Sequence, residues 1–124
     1  STLLSQNIVP VIAPLTHNGE GVMLNTNADT MAGETAKGLV PFFDVTLIYC
    51  FEKKGVLMDE NDDDSVIPNI NPEQFQKLVA DGVISKGMIP KLENAFEAVR
   101  AGVKRVVITR SDALQEGDGT LIQL

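Results

Sequence analysis

Val45-Thr46-Leu47-Ile48-Tyr49-Cys50-Phe51 is a β-branched and aromatic run without a charge, and the fold follows from reading it as a central strand. Upstream, residues 28–37 are rich in Ala, Met, Glu and Lys and read as a helix, with Gly38 placed as its C-terminal cap. Gly33 and the neighbouring alanines leave one face of that helix thin enough to approach a sheet or a ligand closely. Downstream, Asn71-Pro72-Glu73-Gln74 is a complete helix start: a cap, a proline at the first helical position, and a glutamine three beyond the cap. Phe75, Leu78 and Val79 give this helix its apolar face, and Gly82 ends it. A second helix begins at Pro90, buries Leu92, Ala95, Phe96 and Val99, and stops at Gly102.

Residues 103–109 then read as a strand, and residues 117–122 as a turn feeding a last one. Near the start, residues 8–13 are apolar apart from Pro10 and predict a short strand buried on both faces or lying at a sheet edge. The turn residues 16–21, with His17 among them, lead into a returning strand at Val22-Met23-Leu24. Strands alternate with helices throughout, so the class is α/β with a mainly parallel sheet.

At 124 residues the chain is one domain, with 44% hydrophobic and 22% charged residues, a globular composition able to form a core. A net charge of −7 argues against a nucleic acid held through its phosphates. No apolar run reaches the roughly 20 residues that span a bilayer, so no membrane is expected and the compartment is cytoplasmic. Cys50, the only cysteine, is read as a buried structural thiol in a reducing compartment. The chain opens at Ser1 without Met and is read as a piece of something longer. The acidic run at residues 59–64 lacks the glycine and closing glutamate of a calcium loop and reads as a solvated loop. With one histidine and one cysteine, zinc binding and Cys–His catalysis are unsupported, and no metal ligand is assigned.

Three stretches carry more polar chemistry than folding requires. Asn25-Thr26-Asn27-Ala28-Asp29 opens the first helix with three capping-type side chains where one suffices. Lys91 follows Pro90 in a helix's first turn, where the dipole disfavours a cation by about 0.3–1 kcal/mol, so something negative belongs beside it. Lys86 and Gly87 precede the same helix, which gives free backbone N–H groups, a close-approach glycine and two ammonium groups, the needs of a phosphate site. Glu52-Lys53-Lys54-Gly55 follows the central strand directly, where open α/β sheets collect ligands, and is a candidate nucleotide wall. Neither GxGxxG nor GxxxxGK[ST] occurs.

Ile8-Val9-Pro10-Val11-Ile12-Ala13-Pro14, the Asn-x-Asn-x-Asp motif at 25–29, and above all Asp81-Gly82-Val83-Ile84-Ser85-Lys86-Gly87-Met88-Ile89-Pro90-Lys91 together resemble the C-terminal half of the N-acetylglutamate kinases, of the amino acid kinase fold. The resemblance covers essentially the whole chain, closing on Gly119-Thr120-Leu121-Ile122. It implies a three-layer α/β/α sandwich, with residues 1–124 as the nucleotide-binding domain and the substrate half absent. It implies ATP-dependent phosphorylation of the γ-carboxylate of N-acetylglutamate in arginine biosynthesis, with Mg²⁺ carried by the nucleotide. By the same resemblance Asn25 and Asn27 hold the acylated amino acid, Asp29 organises the catalytic lysines, and Lys91 stabilises the phosphoryl group in flight. Glu52, Lys53, Lys54, Gly55, Val56 and Leu57, with Val83, Ile84 and Ser85, match the stretches that contact ATP. The full-length protein is expected to be a homo-oligomer.

The sequence departs from that family in three places. Phe51-Glu52-Lys53-Lys54 stands where Thr or Ser, then Asp, then small residues are usual, so the carboxylate is longer and two cations are added. Residues 110–116 are shorter than in arginine-inhibited members, so feedback by arginine is not expected. The glycine-rich phosphate loop, a further catalytic lysine and a substrate-binding arginine have no counterpart, so these 124 residues alone are expected to fold without turning over. N-succinylglutamate as acceptor, or a non-catalytic regulatory module of the same fold, are the alternatives.

Overall fold

The computed structural model describes residues 2–114 and 117–124. A short helix, α1 (Thr2–Ser5), precedes a two-stranded antiparallel hairpin, β1 (Leu15–His17) with β2 (Met23–Asn25). Then follow α2 (Ala28–Leu39), β3 (Thr46–Phe51), β4 (Asn69–Ile70), α3 (Pro72–Ala80), α4 (Ile89–Arg100), β5 (Arg105–Arg110) and β6 (Thr120–Ile122). The main sheet has the order β3-β5-β6-β4, with β3∥β5 and β4∥β6 parallel and β5 antiparallel to β6. A mainly parallel sheet flanked by helices is thus the architecture, as the alternation of elements requires.

The core lies where α2 and α4 cover one face of the sheet. Strand side chains alternate with period two, so Leu47 and Tyr49 of β3, Val106 and Ile108 of β5 and Ile122 of β6 point to that face and are buried. Leu92, Ala95 and Phe96 meet them from α4. Burying a side chain such as Phe96 or Ile108 stabilises by about 1.5–3 kcal/mol each. Phe75 of α3 packs its ring 5.4 Å from that of Phe96, which ties α3 to α4. The α3 start has the full reciprocal cap: Gln74 N donates to Asn71 Oδ1 and Asn71 N donates to Gln74 Oε1. Gly82, at φ +72°, ends it in the left-handed conformation that glycine adopts without cost.

Several sequence expectations are corrected. β3 is an edge strand of the described sheet, not a central one, and its residues alternate between buried and exposed. Cys50 therefore faces away from the helical layer and is exposed, not buried. Residues 8–13 form no strand. Pro10 lacks a donor, no described strand pairs with the run, and Val9 and Val11 are 82% and 97% exposed. Gly38 does not cap α2, which runs on to Leu39 and ends at Val40 with helical backbone angles. His17 closes β1 instead of lying in the turn. The acidic run is exposed, as read, and turns on its own local hydrogen bonds. Strand β4 has no counterpart in the sequence reading, since two residues carry no periodicity. The expectation about residues 110–116 includes Gln115 and Glu116, which lie outside the described residues.

Candidate functional site

Two helix N-termini converge on the carboxyl end of β3. Asn27 is the cap of α2, its Oδ1 accepting from Thr30 N at 3.0 Å, so the single cap that the helix needs is provided there. Asp29 is consequently released from capping and sits in the first turn, where its charge agrees with the dipole. Its Oδ2 lies 4.0 Å from Lys91 Nζ, and the two side chains are 24% and 35% exposed. The negative partner demanded by a cation at the start of α4 is therefore Asp29. At this separation and exposure the pair stabilises the fold by less than about 1 kcal/mol, so its arrangement is not explained by stability.

The start of α4 has no side-chain cap: Met88 occupies the position without a side-chain hydrogen bond, and Pro90 follows in the first turn. Lys91 Nζ stands 3.7 Å from the centroid of the Phe51 ring, the last residue of β3. Phe51 in turn stacks on Tyr49, with centroids 5.9 Å apart and planes 6° from parallel. The Tyr49 hydroxyl donates to the backbone carbonyl of Asp29 at 3.0 Å. Burial, aided by the charge of Asp29, pushes the Tyr49 phenol up to about 12. A Cβ on Gly33 would stand 3.2 Å from that hydroxyl, so the thin face of α2 is what lets the helix start reach β3.

Beside this end of β3 the loop that follows the strand meets the α3–α4 connection. Lys53, Gly55, Val56 and Leu57 from one side, with Val83, Ile84 and Ser85 from the other, line a single cleft of about 60 Å³. Glu52 and Lys54 do not line it; Glu52 is exposed, and Lys54 faces a separate hollow with Asp63 and Asp118. Lys53 donates to Asp63 Oδ1 at 2.9 Å, and that bond holds the Asp63 carboxyl below the usual carboxylate range. Asn25 ends β2 with its side chain exposed and without a hydrogen-bond partner among the described residues. No group of three or more His, Cys, Asp or Glu able to hold a metal occurs among the described residues.

Sequence reading missed the residue that fastens the cleft. Thr120 of β6 is fully buried, and its hydroxyl accepts from Val56 N at 2.8 Å while donating to Ile67 O at 2.7 Å. A Cβ on Gly55 would come within 2.8 Å of the same oxygen, so glycine is required for this close approach. The one signal available was a threonine amid apolar neighbours. Tyr49 and Phe51 were read only as strand formers, although their spacing of two puts both on one face.

The fold and the paired helix starts are those of an α/β protein with a candidate site at the carboxyl end of β3, and residues 1–110 match the Amino acid kinase family, to which the chain belongs. The chain is 68% identical over 123 residues to the acetylglutamate kinase of Phocaeicola vulgatus, covering 99% of this chain and 48% of that protein. It thus spans about half the length of the curated relatives it matches. A solved Streptococcus mutans structure is 40% identical with a TM-score of 0.79, covering 98% of this chain and 45% of that one. A Giardia carbamate kinase structure, 21% identical, shares the fold with a TM-score of 0.67 over 98% of this chain and 46% of that one.

Proposed function

We propose that residues 1–124 are the nucleotide-binding half of an acetylglutamate kinase, which phosphorylates the γ-carboxylate of N-acetylglutamate with ATP to give N-acetylglutamyl 5-phosphate in arginine biosynthesis. The observation that carries this is the Asp29–Lys91 pair at the carboxyl end of β3, beside the cleft of loops 53–57 and 83–85. A carboxylate oxygen of the acceptor attacks the γ-phosphorus, the bond from phosphorus to the bridging oxygen breaks, and ADP leaves with the electron pair. The acceptor is already ionised near pH 7, so no general base is needed and the demand on the protein is charge neutralisation and positioning. Lys91 supplies a positive charge to the transferring group, and Asp29 holds that lysine.

Lys53, Gly55, Val56, Leu57, Val83, Ile84 and Ser85 receive the nucleotide, with Glu52 and Lys54 at its margin. Asn25, whose side chain has no hydrogen-bond partner among the described residues, and Asn27 face the acylated amino acid. Magnesium rides on the phosphates, which suits a cation that keeps waters and takes few protein ligands. The remaining half of the protein supplies the rest of the acceptor pocket and covers the exposed apolar residues Val9, Val11 and Ile48. The cytoplasm is the compartment of this reaction, and the full-length protein is a homo-oligomer.

The test is hydroxylamine trapping of the acyl phosphate made by full-length protein from ATP with N-acetylglutamate or N-succinylglutamate. Hydroxamate forms with the acetyl substrate, falls at least about 100-fold in Lys91→Met, and is absent with the 124 residues alone. Failure with both acceptors overturns the reading; trapping by the isolated chain overturns its assignment as a half-site.

A further inference from the structure

We propose that Phe51 is a positioning residue for Lys91: its ring face holds the ammonium in place and leaves the N–H donors of that group free for phosphoryl oxygens. The proposal rests on the kinase reading above and adds to it the means by which the lysine is aimed.

The geometry gives Lys91 two neighbours of unequal strength. The Asp29 carboxylate, at 4.0 Å, is at the outer limit of an ion pair and beyond hydrogen-bond distance. The Phe51 ring is nearer, with Nζ 3.7 Å from its centroid. A carboxylate in full contact would occupy one or two of the three ammonium donors, and these would have to be withdrawn before they could serve a ligand. An aromatic face attracts the charge through its quadrupole without spending a strong hydrogen bond. A lysine so held keeps its position and its donor capacity together.

The ring is itself fixed. It ends β3, half-buried, and stacks on Tyr49, and the Tyr49 hydroxyl is bound to the Asp29 carbonyl at 3.0 Å. Asp29, Tyr49, Phe51 and Lys91 therefore form one connected path between the two helix starts. The two holds on Lys91 share a common footing: a shift of the α2 start that moved Asp29 would also move Tyr49 and, through it, the ring. Parallel β3–β5 pairing sets the height of that ring, since Phe51 lies opposite Arg110 at the last pair of the ladder.

Phe51→Leu keeps the apolar bulk and removes the quadrupole, whereas Phe51→Tyr keeps an aromatic face. In full-length protein, Phe51→Leu is expected to lower kcat about three- to thirty-fold with KM for ATP within about twofold, and Phe51→Tyr to restore most of kcat. Phe51→Met serves as the same test should the leucine variant fail to fold. A second readout does not depend on activity: in lysine-labelled protein the Lys91 ε-methylene protons are shifted upfield by the ring, and the shift vanishes in Phe51→Leu but survives in Phe51→Tyr. Unchanged kcat in a folded Phe51→Leu, or equal loss in the leucine and tyrosine variants, overturns the proposal. An inactive parent protein overturns the kinase reading instead, and the ring-shifted lysine signal still decides whether Phe51 holds Lys91.

Discussion

Replacing Thr120 by valine exchanges one hydroxyl for a methyl group at a position with no exposure to solvent. The shape is conserved, so no cavity forms and no side chain must move. What is lost is the 2.8 Å bond from Val56 N, which is left buried without a partner, and the 2.7 Å bond to Ile67 O, which is only part-buried. The stranded N–H costs about 1–3 kcal/mol and the lost bond to the half-buried carbonyl about 0.5–1.5, so the variant should be destabilised by about 1.5–4.5 kcal/mol. Against the roughly 5–15 kcal/mol that holds a domain together, that is a large share. Thr120→Ser keeps the hydroxyl and loses one methyl, at a cost of about 1 kcal/mol. Stability should therefore rank parent, serine, valine, the reverse of what apolar burial alone would give. Urea unfolding of the full-length variants reads this as a fall in midpoint at constant slope. Because Val56 and Leu57 line the cleft, KM for ATP should also rise several-fold in the valine variant and little in the serine one. A valine variant within about 0.5 kcal/mol of the parent, or more stable than the serine one, refutes the role given to this hydroxyl.

Two further outcomes follow from the aromatic path. Asp29→Asn should lower turnover at least about tenfold while costing less than about 1 kcal/mol of stability, because the helix already has its cap in Asn27 and the pair with Lys91 is partly exposed and long; if folding collapses while the residual native enzyme keeps full turnover, Asp29 is only a helix-start residue. Tyr49 has its folded pKa raised above the unfolded value of 10.0 to about 12, so its contribution is complete below pH 10 and is lost as pH rises through 12, by a few kcal/mol at most. Comparing alkaline unfolding of the parent and Tyr49→Phe isolates that loss, and parallel curves for the two would contradict it.

The elements that sequence made legible are those with local chemistry. The Asn71–Gln74 capping box, Gly82 and the buried stripe of α4 are each written in side chains within one or two turns of one another. The cation at position 91 announced a negative partner for the same local reason, and Asp29 met it. What sequence could not show depends on neighbours far along the chain. Cys50 looked buried because its run is apolar, but an edge strand covered on one face exposes every second residue. Residues 8–13 looked like a strand, but a strand exists only if another pairs with it. Thr120 acts on Val56, 64 residues away, and no local pattern can report such a bond.

The placing of β6 bears on the order in which the chain can fold during synthesis. Residues 120–122 lie between β5 and β4, so β4, made some fifty residues earlier, has no described strand to pair with until they emerge. Until then β3 and β5 form a separate ribbon, and the cleft loop lacks Thr120. Ribosomes add about 5–20 residues per second, so β4 and the loop wait for several seconds as unpaired segments. β6 acts as a timer, and the loop at residues 53–57 is set only when its threonine has been made.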